Sequence, residues 1–332
     1  MQIEKLNPQV VGIDFPWFDH TLVLERFPQD NESMRIQESG YSGGGKVATA
    51  LVATSRLGIP SALVAVLGTD RRERFLYEDF EANEVDLAHV RIEKGFRSGS
   101  SVVISDSVSK GRRILWQSPS NFDALTRADV DAAADYINQA KFIHLCRMDD
   151  VGCYAADLAK AKGTKVCFDA DFFDESIAAN LHRIDLLIAS EEFHQDMFSQ
   201  RPTVDTLKQL AMHGGPKTVV ITLGSDGGVV FDQGRLETYA ANAGGINIVD
   251  TVGAGDVFHG AYLAAQCRGY SALDSAKYAS ATAGLKCGAM GGRTGIPTHD
   301  IVQKLLDTGV ADQSYLSERQ MLYSDLSYRI FA

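Results

Sequence analysis

The feature that most constrains this chain is the regular return of short, mostly apolar, β-branched runs with helix-patterned segments between them. Gln9–Asp14, Ser61–Gly68, Lys141–Arg147, Lys165–Ala170, Asp185–Ser190 and Thr218–Gly224 read as buried strands. Lys46–Leu57, Ala128–Gln139, Val151–Lys162 and Val204–Met212 carry apolar residues at three-to-four spacing and read as helices, with Gly58 and Gly163 placed where two of them should stop. Strands and helices in alternation build βαβ units, and the parallel sheet that results is buried only when helices cover both of its faces. The expected class is therefore α/β, and 332 residues suffice for one large core.

Two stretches depart from that rhythm. His20–Tyr41, and Ser100–Gln117 with its polar turn over Asp106–Arg112, alternate as exposed strands do and read as pieces inserted between strands of the main sheet. They form either a small β lid or ordinary surface hairpins. After Thr298 an amphipathic helix is expected over Asp300–Leu306, and the aromatic tail Tyr323–Phe331 should pack on the body or on another subunit.

Charge and cysteine content exclude several classes of function. The chain has 32 Lys and Arg against 43 Asp and Glu, a net charge of −11 with no cationic block, so nucleic acid is not an expected partner. No apolar run reaches the ~18–20 residues needed to cross a bilayer, and residues 1–10 lack the basic and apolar regions of a secretion signal. No membrane contact and a cytoplasmic location are expected. The five cysteines form no C-x-x-C pair and read as small core residues rather than disulfides or a zinc site, and none of the eight histidines has an evident metal partner.

Three glycine-rich loops could hold phosphate. Gly40-Tyr-Ser-Gly-Gly-Gly45-Lys46-Val47 matches G-x-x-x-x-G-K, but Val47 offers no hydroxyl where a P-loop has Ser or Thr, and Ser33–Ser39 is too polar for the preceding strand. Asp250-Thr-Val-Gly253-Ala254-Gly255-Asp256 opens an apolar helical run. Small residues at a helix start let backbone N–H groups approach an anion, and the helix dipole adds attraction. Asp256 then faces that anion, either as a base for an attacking hydroxyl or as a helix cap. Thr222-Leu-Gly224-Ser225-Asp-Gly227-Gly228 follows a strand and could admit a nucleotide to the backbone.

Together these segments resemble the ribokinase-like (PfkB) family of carbohydrate kinases over residues 10 to about 297. Asp250–Asp256 with the helix after it is similar to the family's C-terminal signature at every defining position, and Asp19-His20-x-Leu-x-Leu-x-x-Phe27-Pro28, with Gly44-Gly45-Lys46 downstream, resembles ribokinase without a gap. The resemblance implies a single three-layer α/β/α domain over 1–332, its sheet mainly parallel, with a small β-sheet lid built from segments near 16–42 and 96–120. It implies an ATP-dependent kinase acting on a hydroxyl of a small sugar or sugar derivative. Asp256 would be the base, with Gly253, Ala254 and Gly255 at the phosphoryl group. Asp19, Gly44, Gly45, Lys46 and Thr49 would meet the sugar, with Asp14 as a further candidate, and Arg112 or Arg113 would meet substrate or phosphate. Thr222, Gly224, Ser225, Gly227, Ser280 and Ala283 would hold ATP. The family's N-x-x-E motif falls on Ser190–Phe193 without its defining residues, so Glu191 and Glu192 are the candidates for Mg2+. The family also admits a monovalent cation and a homodimer. A nucleoside kinase of the same fold, and a non-catalytic sugar or nucleotide sensor, are the alternatives.

Overall fold

In a computed structural model of the protein, residues 7–108, 111–212, 214–242 and 244–331 are described. Residues 109 and 110, inside the turn expected over 106–112, lie outside them, as do residues 1–6.

The strands in chain order are β1 (Val10–Ile13), β2 (Trp17–Leu24), β3 (Glu38–Gly44), β4 (Ser61–Leu67), β5 (Asp86–Ile92), β6 (Gly99–Asp106), β7 (Arg112–Gln117), β8 (Phe142–Leu145), β9 (Lys165–Ala170), β10 (Leu186–Ser190), β11 (Thr218–Thr222), β12 (Gly228–Asp232) and β13 (Arg235–Tyr239). Nine of them form one sheet in the order β13-β12-β11-β10-β9-β8-β1-β4-β5. It is parallel from β5 to β11, and β12 and β13 extend it in antiparallel fashion. All six expected strands lie in this sheet. β5 was not anticipated, because an edge strand reading Asp-Leu-Ala-His-Val-Arg-Ile lacks the continuous apolar run of a central one.

The inserted stretches form the second sheet, ordered β3-β2-β6-β7. They are not independent hairpins: β2 and β6 pair in parallel from Trp17↔Gly99 to Leu24↔Asp106, which joins the two insertions into one four-stranded unit. The segment expected as one helix over 128–139 breaks at Ala133 into Arg127–Ala132 and Ala134–Gln139. Leu316–Phe331 is a helix packed on the body, with Phe331 against Phe18, Tyr41 and Phe75.

One helix contact positions the site. Helix Lys46–Arg56 buries Val47, Ala48, Leu51 and Val52, and helix Ala254–Cys267 buries Val257, Ala261 and Leu263 in the same core. At their crossing a Cβ on Gly260 would overlap the Ala50 carbonyl, so only glycine lets the backbones approach this closely. Thr54 Oγ1 donates to the Gly260 carbonyl at 3.1 Å and fixes the contact. The first turns of both helices are thereby held at one end of the sheet, which brings Lys46 and Asp256 within electrostatic reach of each other.

Candidate active site

The site lies at the carboxyl ends of the parallel strands, where open α/β sheets bind ligands. Gly253, with φ of 73°, turns the chain into helix Ala254–Cys267, and no side chain caps that end. The Ala254 N–H is already committed to the Thr251 carbonyl at 3.2 Å. Around Gly255 the space is open: an added Cβ would meet nothing within 4 Å. Asp256 is the third residue of the helix rather than its cap. Burial pushes its carboxyl up to about 8, with Asp169 and Asp171 adding to the rise and Lys46 opposing it. A carboxyl that desolvation first, and neighbouring carboxylates second, hold this high is of the kind found in functional clefts.

Lys46 is the cation that faces those carboxylates. Its ammonium stands 2.7 Å from Asp171 Oδ2 and 3.8 Å from Asp169 Oδ1. Burial works against its charge, but the two aspartates more than offset that and hold its pKa above the ordinary lysine value. Asp169 and Asp171 were not singled out in the sequence. The signal was present, since they stand at the carboxyl end of the expected strand 165–170, the ligand-binding edge of such a sheet.

The second sheet carries the remaining acidic group. Asp19, on β2, is buried and accepts from Ser101 Oγ at 2.6 Å, its register partner on β6. A Cβ on Gly44 would overlap Asp19 Oδ2, and Gly45, with φ of 89°, starts helix Lys46–Arg56. Asp14, one residue beyond β1, is buried and accepts from Cys146 Sγ at 3.1 Å. Burial raises its carboxyl pKa in spite of the nearby Arg147 guanidinium.

Thr49 is placed differently from the sequence-based expectation. It is buried beneath the glycine turn, and its hydroxyl accepts from Arg293 Nε at 3.2 Å. Arg293 also donates to the Gly44 carbonyl at 2.7 Å and pairs with Asp79 at 2.5 Å, so Thr49 and Arg293 support the turn from below. Arg113 stacks elsewhere, on the second sheet's own segment: its guanidinium lies 4.3 Å over the Phe27 ring. Its neighbour Arg112 donates to Thr251 Oγ1 at 2.8 Å, which joins β7 to the turn before Gly253.

Two buried groups hold that turn. Asp250 accepts from the Val252 N–H at 3.0 Å and the Gly291 N–H at 2.8 Å. The fully buried Lys286 donates to the carbonyls of Asp250, at 3.1 Å, and Val252. Lys286 escaped the sequence reading because its partners lie more than 30 residues away.

The nucleotide candidates form a second group. Gly224–Asp226 is a single turn linking β11 to β12, and Gly227, with φ of 87°, has no room for a Cβ beside the Tyr239 carbonyl. Gly224 and Ser225 are exposed and Thr222 is half-buried. Ser280 and Ala283 lie on helix Ala272–Lys286, where Ser280 Oγ accepts from the Asn242 N–H at 3.1 Å. Glu191 and Glu192 occupy the first turn of helix Glu191–Phe198. Ser190, its cap, donates to the Asp171 carbonyl at 2.5 Å and ties that turn to the Lys46 pair.

Residues 10–299 match the pfkB family carbohydrate kinases. The chain belongs to this family. It is a phosphotransferase with an alcohol group as acceptor. Among its relatives, a ribokinase of Arabidopsis thaliana is 27% identical over 315 residues, covering 92% of this chain and 82% of that protein. A nucleoside kinase of Methanothermobacter thermautotrophicus is 24% identical, covering 91% and 93%. The structure of Arabidopsis thaliana ribokinase complexed with ribose and ATP superposes with a TM-score of 0.76 at 25% identity, covering 91% of this chain and 99% of that one. The ribokinase-like α/β fold, with a mainly parallel sheet and a small second sheet, is thus established.

Proposed function

We propose that this PfkB kinase transfers the γ-phosphoryl group of ATP to a hydroxyl of a small sugar or sugar derivative. The observation that carries the reading is the convergence of Asp256, Lys46 and Asp19, from two helix starts and the second sheet, at the one end of the main sheet where the space around Gly255 is open. The likeness to a ribokinase solved with ribose and ATP supports it.

In this reading Asp19 accepts hydrogen bonds from sugar hydroxyls, which suits a charged acceptor facing several O–H donors. The attacking hydroxyl oxygen bonds to the γ-phosphorus while the bond to the bridging oxygen of ADP breaks, and the hydroxyl proton passes to Asp256 in its ionised form, the form that Lys46 favours. Backbone N–H groups at Gly255 and Asp256, Arg112 and Lys46 face the charge on the phosphoryl oxygens. Thr222, Gly224, Ser225 and Gly227 on one side, with Ser280 and Ala283 on the other, hold the nucleotide. The excess of carboxylate around Asp256 fits a divalent cation, and Asp171, Glu191 and Glu192 are the residues that would hold Mg2+, which neutralises phosphate charge when bound. The β2–β3–β6–β7 sheet acts as a lid that keeps water from competing as acceptor.

β7 is the outer strand of that lid and exposes Leu115 and Trp116, at 61% and 68%, an apolar edge that suits pairing with a second copy as a homodimer. The enzyme would work in the cytoplasm; no helix among the described residues is long and apolar enough to cross a membrane.

ADP release from ATP and magnesium, measured across pentoses, ketohexoses, sugar acids and nucleosides with Asp256→Asn as control, tests the reading. A sugar-dependent signal lost in the variant supports it. A nucleoside that outcompetes every sugar favours the second reading, which the Methanothermobacter relative suggests.

A further inference from the structure

Beneath the Lys46–Asp169 pair lies a group of side chains that the phosphoryl-transfer reading does not use. His144 on β8 and Cys167 on β9 are register partners on adjacent parallel strands, so their side chains leave the same face of the sheet. His259, on helix Ala254–Cys267, packs onto that face, with its ring 5.3 Å from the His144 ring. All three are buried, at 0%, 0% and 5% exposure, and Cys167 is a free thiol. Their ligand atoms lie within 4.8 Å of one another.

The hydrogen bonding of this group is incomplete. His144 Nδ1 and Nε2 and His259 Nδ1 are buried polar atoms without a hydrogen-bond partner. Leaving such atoms unpaired in the core is costly, so a cluster of them calls for an occupant that satisfies several at once. Two imidazoles and a thiol are the donor set of a borderline-soft divalent cation and a poor one for Mg2+, which takes oxygen ligands. Asp169 Oδ2, 3.6 Å from His259 Nε2, stands where a carboxylate orients a metal-bound imidazole.

We propose that His144, Cys167 and His259 form a binding site for a divalent transition metal of the zinc class, with Asp169 orienting His259. Zinc bonds of about 2.1 Å to nitrogen and 2.3 Å to sulfur put tetrahedral ligand atoms roughly 3.5 Å apart, so from separations of up to 4.8 Å the site closes by about 1.3 Å at most on binding, within reach of side-chain rotation. Because Asp169 also faces Lys46, the metal is electrostatically joined to the phosphoryl end of the site. The sequence alone could not expose this arrangement: the three ligands are 23 and 92 residues apart, and only the β8–β9 register and the helix contact unite them.

The test uses the full, untagged chain without ATP. Cobalt(II) added to the metal-free protein should give intense visible ligand-field bands and a near-ultraviolet thiolate-to-cobalt band, and one equivalent of zinc should abolish both while excess Mg2+ does not. Zinc content after loading and desalting should be one per chain. Cys167→Ser should lose the near-ultraviolet band, and His259→Gln should weaken zinc binding at least tenfold, with circular dichroism confirming that each variant is folded. Should Cys167→Ser not fold, His259→Gln and His144→Gln carry the test. A weak cobalt spectrum without a thiolate band, or zinc binding that these variants leave unchanged, would overturn the proposal.

Discussion

A side chain at Gly44 would occupy the position of Asp19 Oδ2, so this glycine and this aspartate, 25 residues apart, form one structural feature across the β2–β3 pair. Gly44→Ala is therefore expected to push the Asp19 carboxylate out of place while leaving the α/β body folded. Loss of a hydrogen bond to a charged acceptor is worth about 1.5–3 kcal/mol, or roughly 10- to 150-fold in kcat/KM. Steady-state kinetics on the sugar identified by the substrate panel should show that loss for Gly44→Ala and for Asp19→Ala alike; a glycine variant with unchanged KM would separate the two residues.

Asp256→Asn should lower kcat by about 10²- to 10⁴-fold, the usual range for removing a general base, without loss of ATP affinity. Unchanged turnover would remove Asp256 from the reaction.

The same variant has a consequence for stability. In the ligand-free protein the Asp256 carboxyl is raised from 3.8 to about 8, so between those values the folded chain holds a proton that the unfolded chain has released. The contribution of this group to stability is therefore lost as pH rises through that window. Asp256→Asn should melt at a higher temperature than the parent at pH 8 to 9, with the gap closing toward pH 4. Thermal denaturation at the two ends of the range checks the sign.

Arg112 and Arg113 are adjacent in sequence and differ in what they touch. Arg112→Ala removes the contact to Thr251 beside the phosphoryl turn and should reduce kcat/KM for ATP about tenfold or more, the loss of one charge-assisted hydrogen bond. Arg113→Ala loses only its stacking on Phe27, so its kinetics should stay within about twofold of the parent. Equal effects from the two would show that the strand presents both to the substrate.

Arg293 should report on the frame beneath the Gly44–Gly45 turn. It is fully buried, pairs with Asp79 and donates to the Gly44 carbonyl, and Tyr323 of the last helix also donates to Asp79 at 2.7 Å. Arg293→Met strands the Asp79 charge, at a cost of about 3–5 kcal/mol, whereas Tyr323→Phe removes one hydrogen bond worth about 1 kcal/mol. Urea denaturation should rank the two in that order, and Arg293→Met should also raise KM for the sugar.

What could be read from the residues in order is what depends on short spacing. The continuous apolar runs of β1, β4 and β8–β11 announced a parallel sheet, because strands buried on both faces must be apolar throughout. Gly253-Ala-Gly255-Asp256 and Gly44-Gly45-Lys46 were legible because each sets glycines directly beside a charged residue, a short-range pattern that the proposed function reads as backbone approach to an anion and to a sugar. Strand β5 gave no such signal, since an edge strand tolerates polar residues.

Everything that depends on contact across the sheet was decided by the tertiary structure. It turned Thr49 toward Arg293, set Arg112 rather than Arg113 against Thr251, and paired β2 with β6 in parallel. It also gathered Asp169 and Asp171 around Lys46, and joined His144, Cys167 and His259. The physical reason is the same in each case. Local sequence sets φ, ψ and the face a side chain leaves from, while strand order and helix packing decide which distant faces meet.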